Sequence, residues 1–257
     1  MRSTSGLHVT VWGAGEPAVF VHGSFGWGTE TWREQKLLAD AYRLLLVDRR
    51  GFGESPPDGR VDFEHDATDI AQLLADGAHL VGHSYGGVVA LLAAARRPDS
   101  VRSLAVIEPP ALAIVRGQSA AEELIREIRE AAERAQDPAD YRMRFLRSFG
   151  IPAERQELEG SALEAARSSW RERHPYEADI PLEELARTSF PKLVVRGAWD
   201  VAPQSARERA GAVFASICDV LEERLQAESA RFAGAAHNPQ SLGQPFNSRL
   251  RAFWEAA

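Results

Sequence analysis

The stretch Leu80-Val81-Gly82-His83-Ser84-Tyr85-Gly86-Gly87-Val88-Val89 constrains the fold more than any other part of the chain. An apolar run meets Gly-x-Ser-x-Gly and then small apolar residues of helical character. A serine placed between a strand and a helix must sit on a very sharp turn. Gly82 and Gly86 lack a Cβ, so strand and helix can approach closely there. The turn pushes the serine hydroxyl out at the carboxyl edge of a sheet, and the helix N-terminus behind it favours negative charge. The pattern predicts Ser84 as a nucleophile. The alternative is a serine that only caps the following helix.

The segments around this turn repeat an α/β rhythm. Leu7 to Trp12 alternates apolar and polar residues as a strand does, and Gly13-Ala14-Gly15-Glu16-Pro17 is a turn. Gly13-x-Gly15-x-x-Ala18 formally matches a dinucleotide fingerprint, but that fingerprint needs a helix next, and Ala18-Val19-Phe20-Val21 is β-like. Trp32 to Ala41 reads as a helix, Arg43 to Val47 as a buried strand, and Asp62 to Ala75 as a helix. Ala78 to Val81 is the strand into the turn, Gly87 to Arg97 the helix out of it, and Val101 to Ile107 another strand. Short, nearly continuous apolar strands alternating with helices predict a mostly parallel central sheet with helices on both faces.

From 111 to 188 the pattern changes. No convincing strand occurs. Leu124, Ile128, Ala131 and Ala135 form one helical face, Tyr141, Phe145 and Phe149 a second, and Leu163, Ala166 and Trp170 a third. This predicts a helical cap or lid over the carboxyl edge of the sheet, inserted into a core made of 1–110 and 189–257. A purely structural helical subdomain is the alternative. The rhythm then resumes with a strand over Lys192 to Arg196, helix over Ala206 to Ala227, a weak strand over Ala230 to Phe232 and a C-terminal helix carrying Leu250, Phe253 and Trp254.

The chain has 257 residues, enough for one large α/β domain or two small ones, and a formal net charge of -7. That balance offers no general attraction to nucleic acid or anionic lipid. Cys218 is the only cysteine, so no intrachain disulfide can form. The opening Met1-Arg2-Ser3-Thr4-Ser5 is short and polar and leads into a strand, and no apolar signal core or membrane-length run is present. The expectation is a soluble cytoplasmic protein, monomeric or homodimeric, with a small-molecule substrate and neither nucleic-acid nor membrane partners. No cofactor is expected: no zinc motif, paired cysteines or phosphate loop occurs.

A serine nucleophile needs a base, and the base needs a group that fixes its tautomer. Asp200 follows one strand directly and His237 follows the last, so both can converge with Ser84 on the carboxyl edge. Glu108, also just past a strand, competes for the acid position. The Gly197-x-x-Asp200 context favours Asp200. His83 lies within the turn, where its ring should point away from the hydroxyl. His22, in His22-Gly23-Ser24-Phe25-Gly26, reads as a structural histidine ordering that loop. The oxyanion donors are expected to be the backbone N–H of Tyr85 and one from Ser24 or Phe25. Trp27, Trp32, Phe145, Trp170 and Trp199 are candidates for an apolar pocket, although core packing is the preferred reading of each.

At these residues the chain resembles the α/β-hydrolase superfamily nearly end to end. His22-Gly23, Asp48-x-Arg50-Gly51-x-Gly53-x-Ser55, Gly82-His83-Ser84-x-Gly86-Gly87, Gly197-x-x-Asp200 and Gly234-x-x-His237 look like its motifs, in its order. The resemblance implies an α/β-hydrolase fold with a helical cap and a Ser-His-Asp mechanism, in which Ser84 is acylated and water releases the product. Serine at the turn argues against the haloalkane dehalogenase and epoxide hydrolase branches, which use aspartate there. Two departures stand out: only one strand precedes the one ending at His22-Gly23, where the family usually has two, and the stretch from Asp200 to His237 is long. The leading expectation is hydrolysis of a carboxylic ester, thioester or lactone. A non-hydrolytic tailoring enzyme (cyclase, lyase or acyl transferase) or a ligand-binding protein on the same fold is the rival.

Overall fold

The computed structural model of the chain describes residues 6–57, 61–75 and 77–257. The polar lead-in expected over Met1–Ser5 lies outside the described residues. Seven strands form one sheet in the order β1-β3-β2-β4-β5-β6-β7. They are β1 (Val9–Trp12), β2 (Glu16–Val21), β3 (Tyr42–Val47), β4 (Ala78–His83), β5 (Val101–Ile107), β6 (Lys192–Gly197) and β7 (Glu228–Phe232). Every neighbouring pair is parallel except β1 with β3, which is antiparallel at the edge. Among the described residues one strand, β1, precedes β2.

The central strands are apolar at consecutive positions because both faces of the sheet are covered. Val19 and Val21 of β2 face the helices Phe63–Leu73, Tyr85–Arg96 and Ala212–Leu225. Ala18 and Phe20 face the opposite layer, where Trp32 packs with Phe246, Leu250, Phe253 and Trp254 from the helix Gln244–Glu255. The helix Tyr85–Arg96 is buried from Tyr85 to Ala94, which explains its run of Gly, Ala and Val. Trp32 to Ala41 departs from the expected α-helix: a short turn over Gly28–Thr31 is followed by a 3-10 helix over Arg33–Asp40.

Between β5 and β6 the chain forms the helices Ser119–Arg134, Pro138–Ser148 and Gly160–Trp170, with short helical turns before and after. Ala121, Leu124, Ile125, Ile128 and Ala131 bury one stripe of the first of these. Asp137 caps the second by accepting from Asp140 N at 2.9 Å, and Pro138 occupies its first turn. Among the described residues no helix is long and apolar enough to cross a membrane.

Candidate active site

β4 delivers Ser84 to the carboxyl edge, and the helix begins at the next residue. Ser84 holds φ 53° and ψ −127°, a left-handed conformation costly for a residue with a Cβ. A Cβ on Gly82 would lie 2.3 Å from Gly86 O, and one on Gly86 would lie 2.3 Å from Val21 O. The glycines of the motif therefore let β2, β4 and the helix close around the serine.

Ser84 Oγ donates to His237 Nε2 at 2.9 Å. On the other side of the ring, Nδ1 donates to Glu108 Oε2 at 3.1 Å. A carboxylate only accepts, so this partner fixes the tautomer that leaves Nε2 free to take the serine proton. Glu108 is fully buried just past β5, at φ 44°. Its Oε1 also accepts from Gly197 N at 2.9 Å and Trp199 Nε1 at 3.0 Å. Three donors hold one carboxylate, and both of its oxygens are engaged.

Asp200, expected beside His237, is not there. Its carboxylate is on the surface and accepts from Gly234 N at 3.0 and 3.2 Å. The chain turns at Trp199, which takes φ 59° and donates its N–H to Ala235 O at 2.8 Å. That turn directs the indole inward to Glu108 and leaves Asp200 outward. Asp200 thus staples the loop that carries His237, and Glu108 takes the acid position. Trp199 was the available sequence signal, since a buried indole N–H needs an acceptor.

The loop after β2 bears on the expected choice between Ser24 and Phe25. Phe25 N–H donates to Ser169 Oγ at 2.8 Å and is already engaged. Ser24 N–H has no partner among the described residues, and Tyr85 N–H is the first of its helix, where no intrahelical acceptor exists. Gly23 touches the nucleophile: a Cβ there would lie 2.7 Å from Ser84 Cβ. Ser24 and Tyr85 are therefore the two expected donors whose N–H groups have no hydrogen-bond partner among the described residues.

His22 is structural. Its Nε2 accepts from Arg49 N at 3.0 Å, so Nδ1 carries the hydrogen donated to Gly23 O at 2.7 Å. Burial and the Arg49 charge hold its pKa well below the usual histidine value. His83 turns away from the serine hydroxyl and donates from Nε2 to His237 O at 3.0 Å. Burial, then the neighbouring His237, lowers its pKa to about 3, so it stays neutral.

Beneath the loop lies a buried cluster that the sequence did not reveal. The fully buried Arg49 guanidinium pairs with Asp66 at 3.0 Å and Glu172 at 2.6 Å. It also donates to His22 O at 3.0 Å and Gly23 O at 3.1 Å. Phe52 and Tyr85 rings each lie 4.4 Å from the guanidinium carbon. Glu172 accepts in addition from Ser24 Oγ, which ties the helical insertion to the loop beside the nucleophile. The partners of Arg49 are remote in sequence, so no local signal marks it.

A cavity of about 230 Å³ opens over Ser84 and His237. Its apolar wall comes from Phe25, Phe145, Phe149, Trp199 and Phe214, and the helical insertion supplies much of the remainder, including Ile128, Tyr141 and Glu172. Of the aromatic candidates, Phe145 and Trp199 line it. Trp32 lies in the opposite core layer, and Trp170 stacks on Tyr141 while donating to Ala132 O at 2.9 Å.

A mostly parallel sheet that brings Ser84, His237 and the buried Glu108 into one hydrogen-bonded row at its carboxyl edge defines an α/β protein with a candidate catalytic site. The chain belongs to the alpha/beta hydrolase family, whose model matches residues 18–244. An epoxide hydrolase from Caballeronia sordidicola is 36% identical over 130 residues, which cover 47% of this chain and 39% of the relative. A pimeloyl-acyl-carrier-protein methyl ester esterase from Aeromonas hydrophila is 36% identical over 104 residues, 39% of this chain and 41% of the relative. The matched stretch thus spans less than half of the length of these curated relatives. The solved structure of MenH from S. aureus shares the fold with a TM-score of 0.71 at 18% identity, over 97% of this chain and 98% of that one.

Proposed function

We propose that the chain is a serine hydrolase that cleaves a carboxylic ester, thioester or lactone through an acyl-enzyme on Ser84. The unbroken hydrogen-bonded path Ser84–His237–Glu108 at the mouth of an aromatic-lined cavity carries the reading. His237 Nε2 takes the serine proton as Oγ attacks the substrate carbonyl carbon. Glu108, already oriented by Gly197 and Trp199, steadies the imidazolium. The carbonyl oxygen gains charge between the Ser24 and Tyr85 N–H groups. His237 then protonates the leaving alcohol, thiol or ring oxygen. Water repeats the sequence and frees Ser84.

The aromatic wall fits an apolar acyl group, and the methyl ester esterase among the relatives supports ester chemistry. The insertion between β5 and β6 acts in this reading as a cap: it covers the carboxyl edge and supplies the cavity wall opposite the nucleophile. The substrate is a small molecule held in that cavity. Intact mass after treatment with a fluorophosphonate tests the mechanism. One adduct on the parent protein and none on Ser84→Ala is the expected result; a folded parent that takes up no adduct defeats it.

A further inference from the structure

Two cavities share a wall next to the nucleophile, which itself lines only the aromatic one. Beside the aromatic cavity lies a second of about 210 Å³, and both are bounded by Ser24, Phe25, His83 and Asn238. Their chemistry differs. The second is lined by Thr31, Gln240 and Ser241, and by Glu30, Arg33 and Glu34. Those three charged side chains are 42%, 64% and 49% exposed, so this cavity opens to solvent among ionic groups. An apolar acyl group has no reason to enter there, whereas water has.

The residues behind this cavity add a second observation. Trp32 Nε1, Gln35 Oε1, His83 Nδ1 and Gln240 Oε1 are buried with no hydrogen-bond partner among the described residues. They fall in two linked pairs: the Trp32 and His83 rings meet edge-on with centroids 6.4 Å apart, Gln35 Nε2 donates to Gln240 O at 2.9 Å, and Gln35 N–H donates to Trp32 O at 3.0 Å. Since His83 Nε2 donates to His237 O, its Nδ1 is a bare acceptor. Buried polar atoms in folded proteins are satisfied, by water where protein does not do it. One donor and three acceptors suit a molecule that both accepts and donates, and two of the four residues, His83 and Gln240, also line the polar cavity.

We infer that the polar cavity is the water entrance of the site, delivering the deacylating water while the acyl group fills the aromatic cavity. This rests on the acyl-enzyme reading above. Water enters past Ser241 and Thr31, is ordered along His83 and Gln240, and reaches the acyl carbon beside Ser24 and Asn238. Its oxygen bonds to that carbon and its proton passes to His237 Nε2. The bond from the acyl carbon to Ser84 Oγ then breaks as His237 returns the proton to Oγ, and a carboxylic acid leaves. Substrate and water thus use separate doors.

Filling the entrance tests this. Ser241→Trp and Thr31→Trp each place a large ring at its mouth, away from the relay. The probe is p-nitrophenyl butyrate, an activated ester whose acylation is fast. Rapid mixing reads the first turnover, and quenched intact mass reads acylated Ser84. The first-turnover rate is expected to stay within about twofold of the parent while steady-state turnover falls roughly tenfold and acyl-enzyme accumulates. Steady-state turnover unchanged in either folded variant overturns the proposal. So does a first-turnover rate that falls in step with the steady state, because acylation needs no water. A parent that turns the ester over yet gives no fluorophosphonate adduct on Ser84 removes the acyl-enzyme reading itself, a pattern distinct from either.

Discussion

Glu108 and His237 come from opposite sides of the helical insertion and meet as a hydrogen-bonded pair, Nδ1 to Oε2 at 3.1 Å. Asp200 is nearer to His237 in sequence and makes no hydrogen bond to its ring; it binds Gly234 N instead. The two carboxylates should therefore separate in kinetics. Glu108→Gln keeps the shape but turns an amide toward Nδ1 and disturbs the tautomer, so ester turnover is expected to fall by about 10⁴. Asp200→Asn keeps an acceptor for Gly234 and should cost only a few-fold, by roughly one lost charge-assisted hydrogen bond at a loop. Steady-state kinetics of the two variants on one ester decide the matter; the reverse order would restore Asp200 as the acid.

In the proposed mechanism Trp199 acts through Glu108. Its N–H reaches both carboxylate oxygens, at 3.0 and 3.2 Å, while its ring stacks on Phe214 with centroids 6.0 Å apart. Trp199→Phe keeps the stacking and deletes the donor. The carboxylate retains Gly197 N but loses the group that fixes its rotation toward His237. A fall of about tenfold in kcat, with KM little changed, is expected from one lost hydrogen bond to a buried charged group. An equal loss in kcat and thermal stability with a raised KM would point to packing instead.

The sheet was legible because buried parallel strands must be apolar at every position, and the continuous runs at Ala18, Leu44, Leu80 and Leu193 have no other explanation in a chain this polar elsewhere. The elbow was legible because only glycine fits at 82 and 86, where backbone lies 2.3 Å from a would-be Cβ. The choice between Glu108 and Asp200 was not legible. Both follow strands that are neighbours in the sheet, and a single left-handed turn at Trp199 decides which carboxylate points in. Arg49 was invisible for another reason. A buried ion is stabilised by partners gathered from afar, here Asp66 and Glu172.

That buried ion is predicted to matter for stability. Arg49 brings one positive charge to two carboxylates, and burial raises the pKa of both Asp66 and Glu172 despite it. Arg49→Met leaves both without a counter-charge and frees His22 O and Gly23 O, so a loss of about 3–5 kcal/mol is expected in urea unfolding. Asp66→Asn should behave differently. Its Oδ1 finds no partner among the described residues, and the amide oxygen can still accept from Arg49. One carboxylate then balances one guanidinium, and the change is expected to stay within about 1 kcal/mol. A large loss in Asp66→Asn would show that both charges are needed.

His83 makes the acid side of the stability curve testable in isolation. Burial holds its pKa down to about 3 in the folded chain, against the ordinary value of 6.5 when unfolded. The unfolded chain therefore takes up a proton below pH 6.5 that the folded one refuses. Stability from this group is complete above that pH and is lost on acidification by about 1.4 kcal/mol per pH unit, down toward the folded pKa. His22 has the same sign, whereas Asp66 and Glu172, with raised values, act oppositely and lose their contribution as pH rises. Comparing the parent with His83→Asn cancels those other groups, and asparagine can still donate toward His237 O. The variant should be less stable at pH 7.5, and the gap should narrow by about 1.4 kcal/mol for each pH unit below 6.5. A gap constant from pH 7.5 to 5 would mean that His83 protonates as easily in the folded chain as in the unfolded one, and that its Nδ1 is not the neutral acceptor on which the water entrance depends.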